Sequence, residues 1–195
     1  MRVMNGMLIS AGFLISLILL QGCATSIKAS TVQNPSPKEA FSAFGRIEIR
    51  PVKFKPGYSG DHAGLAKIEE NLKKNLTPSL DAWNKRPNNN RTLVIEPIVD
   101  EMQFKHGAKR ILLGPFAGSS GILMRLKIAD SSGSVVATPE FFQRAGAFSA
   151  GFLMGVHDNL MLTRVATLAS SYITANFDKA QGGPTGADDE AVSPR

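Results

Sequence analysis

Residues 122–137, ILMRLKIADSSGSVVA, are the stretch whose reading decides the fold. Ile122, Met124, Leu126 and Ile128 fall on one side of an extended chain, with Leu123, Arg125 and Lys127 on the other. That period of two is the mark of a half-buried strand. Asp130-Ser131-Ser132-Gly133 follows as turn chemistry: an aspartate that accepts from nearby backbone, then a glycine that tolerates positive φ. Residues 134–138, continued by Phe141 and Phe142, return as the second arm of a hairpin.

Working outward, residues 61–83 place Leu65, Ile68, Leu72, Leu76, Leu80 and Trp83 at steps of three and four. Lys67, Glu70, Lys73 and Lys74 fall largely off that stripe, which predicts an amphipathic helix opened by Asp61. Pro87 and Asn88-Asn89-Asn90 close it in a turn. Before it, residues 45–54 (GRIEIRPVKF) alternate Ile47 and Ile49 against Glu48 and Arg50, a strand that Pro51 puts at an edge or ends. After it, residues 91–104 (RTLVIEPIVDEMQF) read as a strand in which Pro97 predicts a bulge or interruption. Residues 158–177 form a closing helix, with Met161, Leu162, Val165, Leu168, Tyr172 and Ile173 as its apolar face and Asp158 or Asn159 as its cap. The order β-α-β-β-β-α predicts an α+β domain, helices packed on a largely antiparallel sheet, over residues 41–177.

The N-terminus carries a different signal. Met1-Arg2 supplies a positive charge, residues 7–20 are an apolar run, and the chain's single cysteine follows in Leu20-Gln21-Gly22-Cys23. The run is too short and wrongly flanked for a permanent transmembrane helix, and reads as a signal peptide over residues 1–22. The tetrad resembles the bacterial lipobox: Leu20 and Gly22 match its pattern, while Gln21 is bulkier than the small residue usual there. The resemblance implies that Cys23 takes a thioether-linked diacylglycerol, becomes the new N-terminus, and gains an N-linked acyl chain such as palmitate. Each buried acyl methylene contributes about 0.8 kcal/mol and lasting attachment needs more than one chain. Ala24, rather than aspartate, follows the cysteine, which by the same resemblance implies the periplasmic face of the outer membrane. The alternatives are a secretory peptide cut elsewhere, which leaves a free thiol, or a short cytosolic hydrophobic N-terminus.

Removing residues 1–22 from a 195-residue chain leaves 173, enough for one domain with a core. With Cys23 lipidated, no disulfide forms within the chain, so packing must hold it. Losing Arg2 takes Lys+Arg from 22 to 21 against 16 Asp+Glu, a net +5 suited to anionic surfaces but also to a scattered solvated exterior. The longest basic groupings are pairs such as Lys73-Lys74 and Lys109-Arg110, with no interleaved aromatics, so no nucleic-acid partner is expected. Residues 23–40, small and polar with two prolines, read as a flexible tether; residues 178–195, with Val192 as their one large apolar side chain, read as a disordered tail.

Few motifs point to chemistry. Residues 114–121 (GPFAGSSG) lack the in-register Lys and Ser/Thr of a phosphate loop and run into a strand, so the glycines read as permitting a bulge or close approach. Residues 145–156 (AGAFSAGFLMGV) would span about 18 Å as helix against a hydrocarbon core of about 30 Å. They read as a loop over the core or, alternatively, a hairpin that dips into the membrane or contacts another subunit. The candidate interaction residues there are Gly146, Phe148, Gly151, Phe152 and Gly155. His62, His106 and His157 are isolated, Asp100 and Glu101 would point to opposite faces of a strand, and no serine sits in a nucleophile elbow. The expectation is a non-enzyme without cofactor or metal. The competing reading is an envelope enzyme whose site, drawing on His106, Asp100 or Asp130, assembles only in space.

Residues 109–137 (KRILLGPFAGSSGILMRLKIADSSGSVVA) resemble the signature of a family of bacterial envelope lipoproteins catalogued as a domain of unknown function. The matching positions are Gly114, Gly118, Gly121, Asp130 and Gly133, and the resemblance extends over about residues 44–177. With the expected lipid anchor, the reading is a lipid-anchored interaction module that contacts another envelope protein, with an oligomeric or pore-associated subunit using residues 145–156 as the alternative. The resemblance implies no activity and no catalytic residue.

Overall fold

The computed structural model describes residues 27–104, 120–145 and 156–189, with side chains of the last segment from Asn159 onward. Cys23, with Leu20, Gln21 and Gly22, lies outside the described residues, as do Gly146, Phe148, Gly151, Phe152, Gly155 and most of the 114–121 stretch.

The elements, in order, are β1 (Gln33–Asn34), a short 3-10 turn (Phe41–Ala43), β2 (Arg46–Ile49), β3 (Lys53–Phe54), α1 (His62–Trp83), β4 (Thr92–Gln103), β5 (Ser120–Asp130), β6 (Val135–Ala137), β7 (Glu140–Ala145), α2 (Val156–Ala175) and β8 (Gly183–Pro184). The fold is α+β, as the alternation and helical stripe predict. β5 is the hub of the main sheet, antiparallel to β4 on one side and to β6 and β7 on the other. β2 and β3 add to the far side of β4, both parallel to it, because α1 carries the chain back across the sheet between them.

The predicted inward residues Ile122, Met124, Leu126 and Ile128 are all fully buried, with Met102, Val99, Pro97 and Ile95 of β4 opposite them in that order. Both helices cover this face, with Ile68, Leu72 and Leu76 from α1 and Met161, Val165 and Ala169 from α2 pointing into it. Each such large side chain, taken out of water, contributes about 1.5–3 kcal/mol. The small residues Ala166, Ala169 and Ser170 let the helices approach, and Asn71 and Asn75 donate across to Thr163 and Ser170, both at 3.4 Å. Asp61 caps α1 as expected, its carboxylate accepting from the Gly64 N–H at 2.7 Å. In the hairpin turn Gly133 has φ +90°, and the Asp130 carboxylate takes the Ser132 and Ser134 N–H groups.

Several expectations are corrected. Pro51 ends β2 at the sheet edge, as expected, though residues 53–54 rejoin the sheet as β3; Pro97, against expectation, makes no bulge. Ile95 and Val99 accept from Arg50 and Lys55 across the parallel pairing, so Pro97, midway between them, faces the gap where residues 50–52 leave the sheet. No donor is wanted there. The bulge falls at Asp100 instead, between Val99 and Glu101. It flips the alternation so that Met102 points inward opposite Ile122. The closing helix starts at Val156, two residues before the predicted cap, which places Asp158 and Asn159 inside it.

The largest correction concerns the two ends. The tether expected over 23–40 is built into the body from Ile27, and the tail expected to be disordered is built in as far as Asp189. β1 and β8 pair antiparallel, Gln33 with Pro184 and Asn34 with Gly183. Thr185 is fully buried: its N–H donates to Val32, its carbonyl accepts from Phe142 of β7, and its hydroxyl donates to Thr31 at 2.7 Å. Asn176, also fully buried, takes the Gln181 and Gly182 N–H groups on its carboxamide oxygen. Polar clasping, not burial of large apolar side chains, orders this segment, which is why an argument from hydrophobic content misses it.

Candidate functional site

The N-terminal segment crosses the open face of the sheet at one end of the domain. Ile27 lies over Gly121, where an added Cβ would sit 3.5 Å from it, and the Ser30 and Thr31 N–H groups reach the Glu140 carboxylate. Gly121 pairs with Arg144 on one side and with Gln103 on the other, and Ser120 pairs with Ala145. The end of β4, the start of β5, the end of β7 and the first described residue therefore meet at one place. Between Ile27 and Cys23 lie only Ala24, Thr25 and Ser26. We refer to this place as the anchor end, because it lies nearest in sequence to Cys23, the expected point of lipidation.

A cleft of about 230 Å³ opens here. Its walls come from three parts of the chain: Ile27, Lys28 and Ala29 from the N-terminal segment; Gly121, Phe142 and Arg144 from the sheet; and Ala187 from the tail. It exists only because the clasp draws these parts together. The clasp is tightened by Gln143, whose amide donates to Asp189 at 2.5 Å, and by Tyr172, whose hydroxyl donates to Pro35. Burial pushes the Tyr172 phenol up to about 12, so it stays neutral and a donor throughout the ordinary pH range.

Most cations on the open sheet face are already paired. Arg125 reaches Asp100 at 2.6 Å, Lys53 reaches Glu96 at 3.0 Å, and Arg46 and Arg50 share Glu48. Lys53, by hydrogen bonding, holds the Glu96 carboxyl below the usual range. Such exposed pairs contribute little to stability but leave little net field. Lys28 and Arg144 have no ion pair among the described residues.

A second cleft, about 180 Å³, lies between α1 and the Arg50-Pro51-Val52 link. Ile49, Val52, Leu72 and Leu76 floor it, and Glu69 and Lys73 stand on its rim, joined at 2.6 Å. Lys73, then the Val52 N–H, hold the Glu69 carboxyl below its ordinary value. That carboxylate belongs to the wall, satisfying the Val52 amide at 3.1 Å.

Of the residues a spatially assembled catalytic site would draw on, the described ones do not meet. Asp100 is spent on Arg125, Asp130 on its own turn, and His62 packs edge-on against Phe54 at 5.5 Å. None of the three lines either cleft, and His106 lies outside the described residues. Among the described residues no group of three or more His, Cys, Asp or Glu is placed to hold a metal ion, and no helix is long and apolar enough to cross a membrane. The candidate interaction segment of 145–156 begins where β7 ends, beside the anchor end, and its five named residues lie outside the described ones. Sequence reasoning missed Lys28, Arg144 and the clasp. The available signal was Gly-Gly-Pro-Thr-Gly at 182–186, two glycine turns flanking a threonine.

No family model matches this chain and no curated protein matches it. Among solved structures it is similar to the PelC dodecamer of Paraburkholderia phytofirmans, at 14% identity over 69% of this chain and 94% of that one, with a TM-score of 0.42. A single-substitution variant of that dodecamer matches at 16% identity over 69% and 92%, with a TM-score of 0.42.

Proposed function

We propose that this protein is a lipid-anchored, non-enzymatic interaction module on the periplasmic face of the outer membrane. The observation that carries the reading is the lone Cys23, set directly after an apolar run and Gly22. The arrangement of the body supports it. Ile27, four positions after that cysteine, is docked on the sheet over Gly121, and on this reading the domain sits close to the membrane rather than on a long linker. The chemistry asked of such a protein is adhesion: a solvated sheet face of paired charges, and the end of the body nearest in sequence to Cys23 presented to the bilayer.

The test is processing. Cys23→Ala is expected to leave a full-length precursor at the inner membrane, because acylation of the thiol precedes cleavage. The native protein should give a mass higher than the 23–195 chain by a diacylglycerol and one acyl group. Mature-sized protein released from the membrane by the variant, or an unmodified thiol in the native one, would sink the proposal.

A further inference from the structure

We infer that the cleft between Lys28 and Arg144 seats the phosphate of an anionic phospholipid headgroup, so that the anchor end lies directly on the bilayer. This rests on attachment through Cys23, and geometry narrows what else could fill the cleft. Four residues from Cys23 to Ile27 reach at most about 14 Å when fully extended. The headgroup layer on each side of a bilayer is about 5–8 Å thick. A domain whose chain begins on the sheet at Ile27 cannot lift its cleft far beyond that layer.

The lining suits a phosphate ester. Lys28 and Arg144 stand on opposite parts of the chain without ionic partners among the described residues, one a point charge and the other a planar fork that binds phosphate oxygens in pairs. Gly121 offers no side chain between them, while Ile27 and Phe142 give the apolar wall on which glycerol and the first acyl carbons rest. Each cation near an anionic leaflet contributes about 1 kcal/mol. Two are enough to hold one orientation of a body already confined there.

Amide hydrogen exchange of the acylated mature chain tests this, on phosphatidylethanolamine vesicles with and without phosphatidylglycerol. Exchange at Lys28, Ala29 and Arg144 is expected to slow by at least about tenfold on the anionic vesicles. The double variant K28E/R144E should abolish that slowing while leaving the thermal midpoint and exchange in β4 and β5 unchanged. Equal slowing on both vesicle types, or slowing that survives the double variant, overturns the inference. So does slowing that rises with protein density at fixed lipid, which would make a second copy the occupant, or slowing that inorganic phosphate alone reproduces in detergent. Intact mass of the same sample reports the anchor separately. Should Cys23 prove unacylated, the free chain added to the same vesicles still decides the matter: slowing that depends on phosphatidylglycerol supports the cleft, and its absence overturns it.

Discussion

Gly186 sits at φ +82°, and a Cβ built on it would lie 2.5 Å from the Phe142 carbonyl oxygen and 2.6 Å from Leu168 Cδ1. The turn must pass this close because the residue before it, Thr185, bonds both Val32 and Phe142. Gly133 has a similar φ of +90° but nothing within 4 Å of the same point. The pair separates two costs. Gly133→Ala carries the left-handed penalty alone, about 1–2 kcal/mol. Gly186→Ala adds a collision with backbone that cannot move without opening the clasp, and should lose about 2–4 kcal/mol in all. Chemical denaturation of the two variants side by side checks the order; equal losses would mean the clasp yields without cost. The same scale shows where composition misleads. Thr185 looks like a surface residue in a glycine-rich tail, yet it is fully buried because its hydroxyl and both backbone groups find partners.

At the scale of elements, the sheet closes both of its edges. On the β7 side, Asn34 inserts its carboxamide between strands, donating to the Glu140 carbonyl and accepting from its N–H, both at 2.8 Å, and Thr185 takes the Phe142 N–H. On the β2 side, Asn84, just past the end of α1, does the same to Ile47, accepting from its N–H at 2.8 Å and donating to its carbonyl at 3.0 Å. Side-chain amides thus imitate the missing neighbour strand, a guard against edge-to-edge pairing. Ile47 is only 2% exposed, so water is a poor substitute. Asn84→Ala should destabilise the domain by about 1–3 kcal/mol, the penalty for stranding a buried peptide group. It should also give concentration-dependent association in light scattering. A variant as stable and as monodisperse as the parent would show that Asn84 guards nothing. The strands and helices themselves were legible, because β5 and α1 each bury one face and the apolar residues keep its period. Pro97 was misread because its effect depends on what lies beside it, and that is decided by the crossover through α1, not by its neighbours in sequence.

At the scale of the whole molecule, the candidate site was hidden for the same reason the tail was. Its walls come from residues 27–29, Gly121, Phe142, Arg144 and Ala187, which no local pattern connects, and they meet only after the segments carrying β1 and β8 pair over β7. On the proposed attachment through Cys23, the clasp therefore sets how far the body can move from the membrane. With it closed, Ile27 lies four positions from Cys23. With it open, the next fixed backbone contact is Lys38, which donates to Val136, fifteen residues from Cys23, a reach of about 50 Å. A chain ending at Asp178 loses the β1–β8 pairing and the Phe142–Thr185 and Gln143–Asp189 bonds to β7, and with them three bonds from the tail to the N-terminal segment: Thr185 N–H to Val32, the Thr185 hydroxyl to Thr31, and the Asn34 amide to the Pro184 carbonyl. At about 1 kcal/mol net each, their loss should raise the released population on the order of a hundredfold. The core is packed by residues outside the tail, so the truncated chain keeps its sheet and helices. Trypsin reads the difference directly, since cleavage after Lys28 follows the open population when reclosing is fast. The truncated chain should be cut there on the order of a hundred times faster than the full chain, with β4 and β5 still protected in both. Equal cleavage rates would mean that the N-terminal segment holds itself on the sheet, through Ile27 over Gly121 and Ser30 against Glu140, without help from the tail.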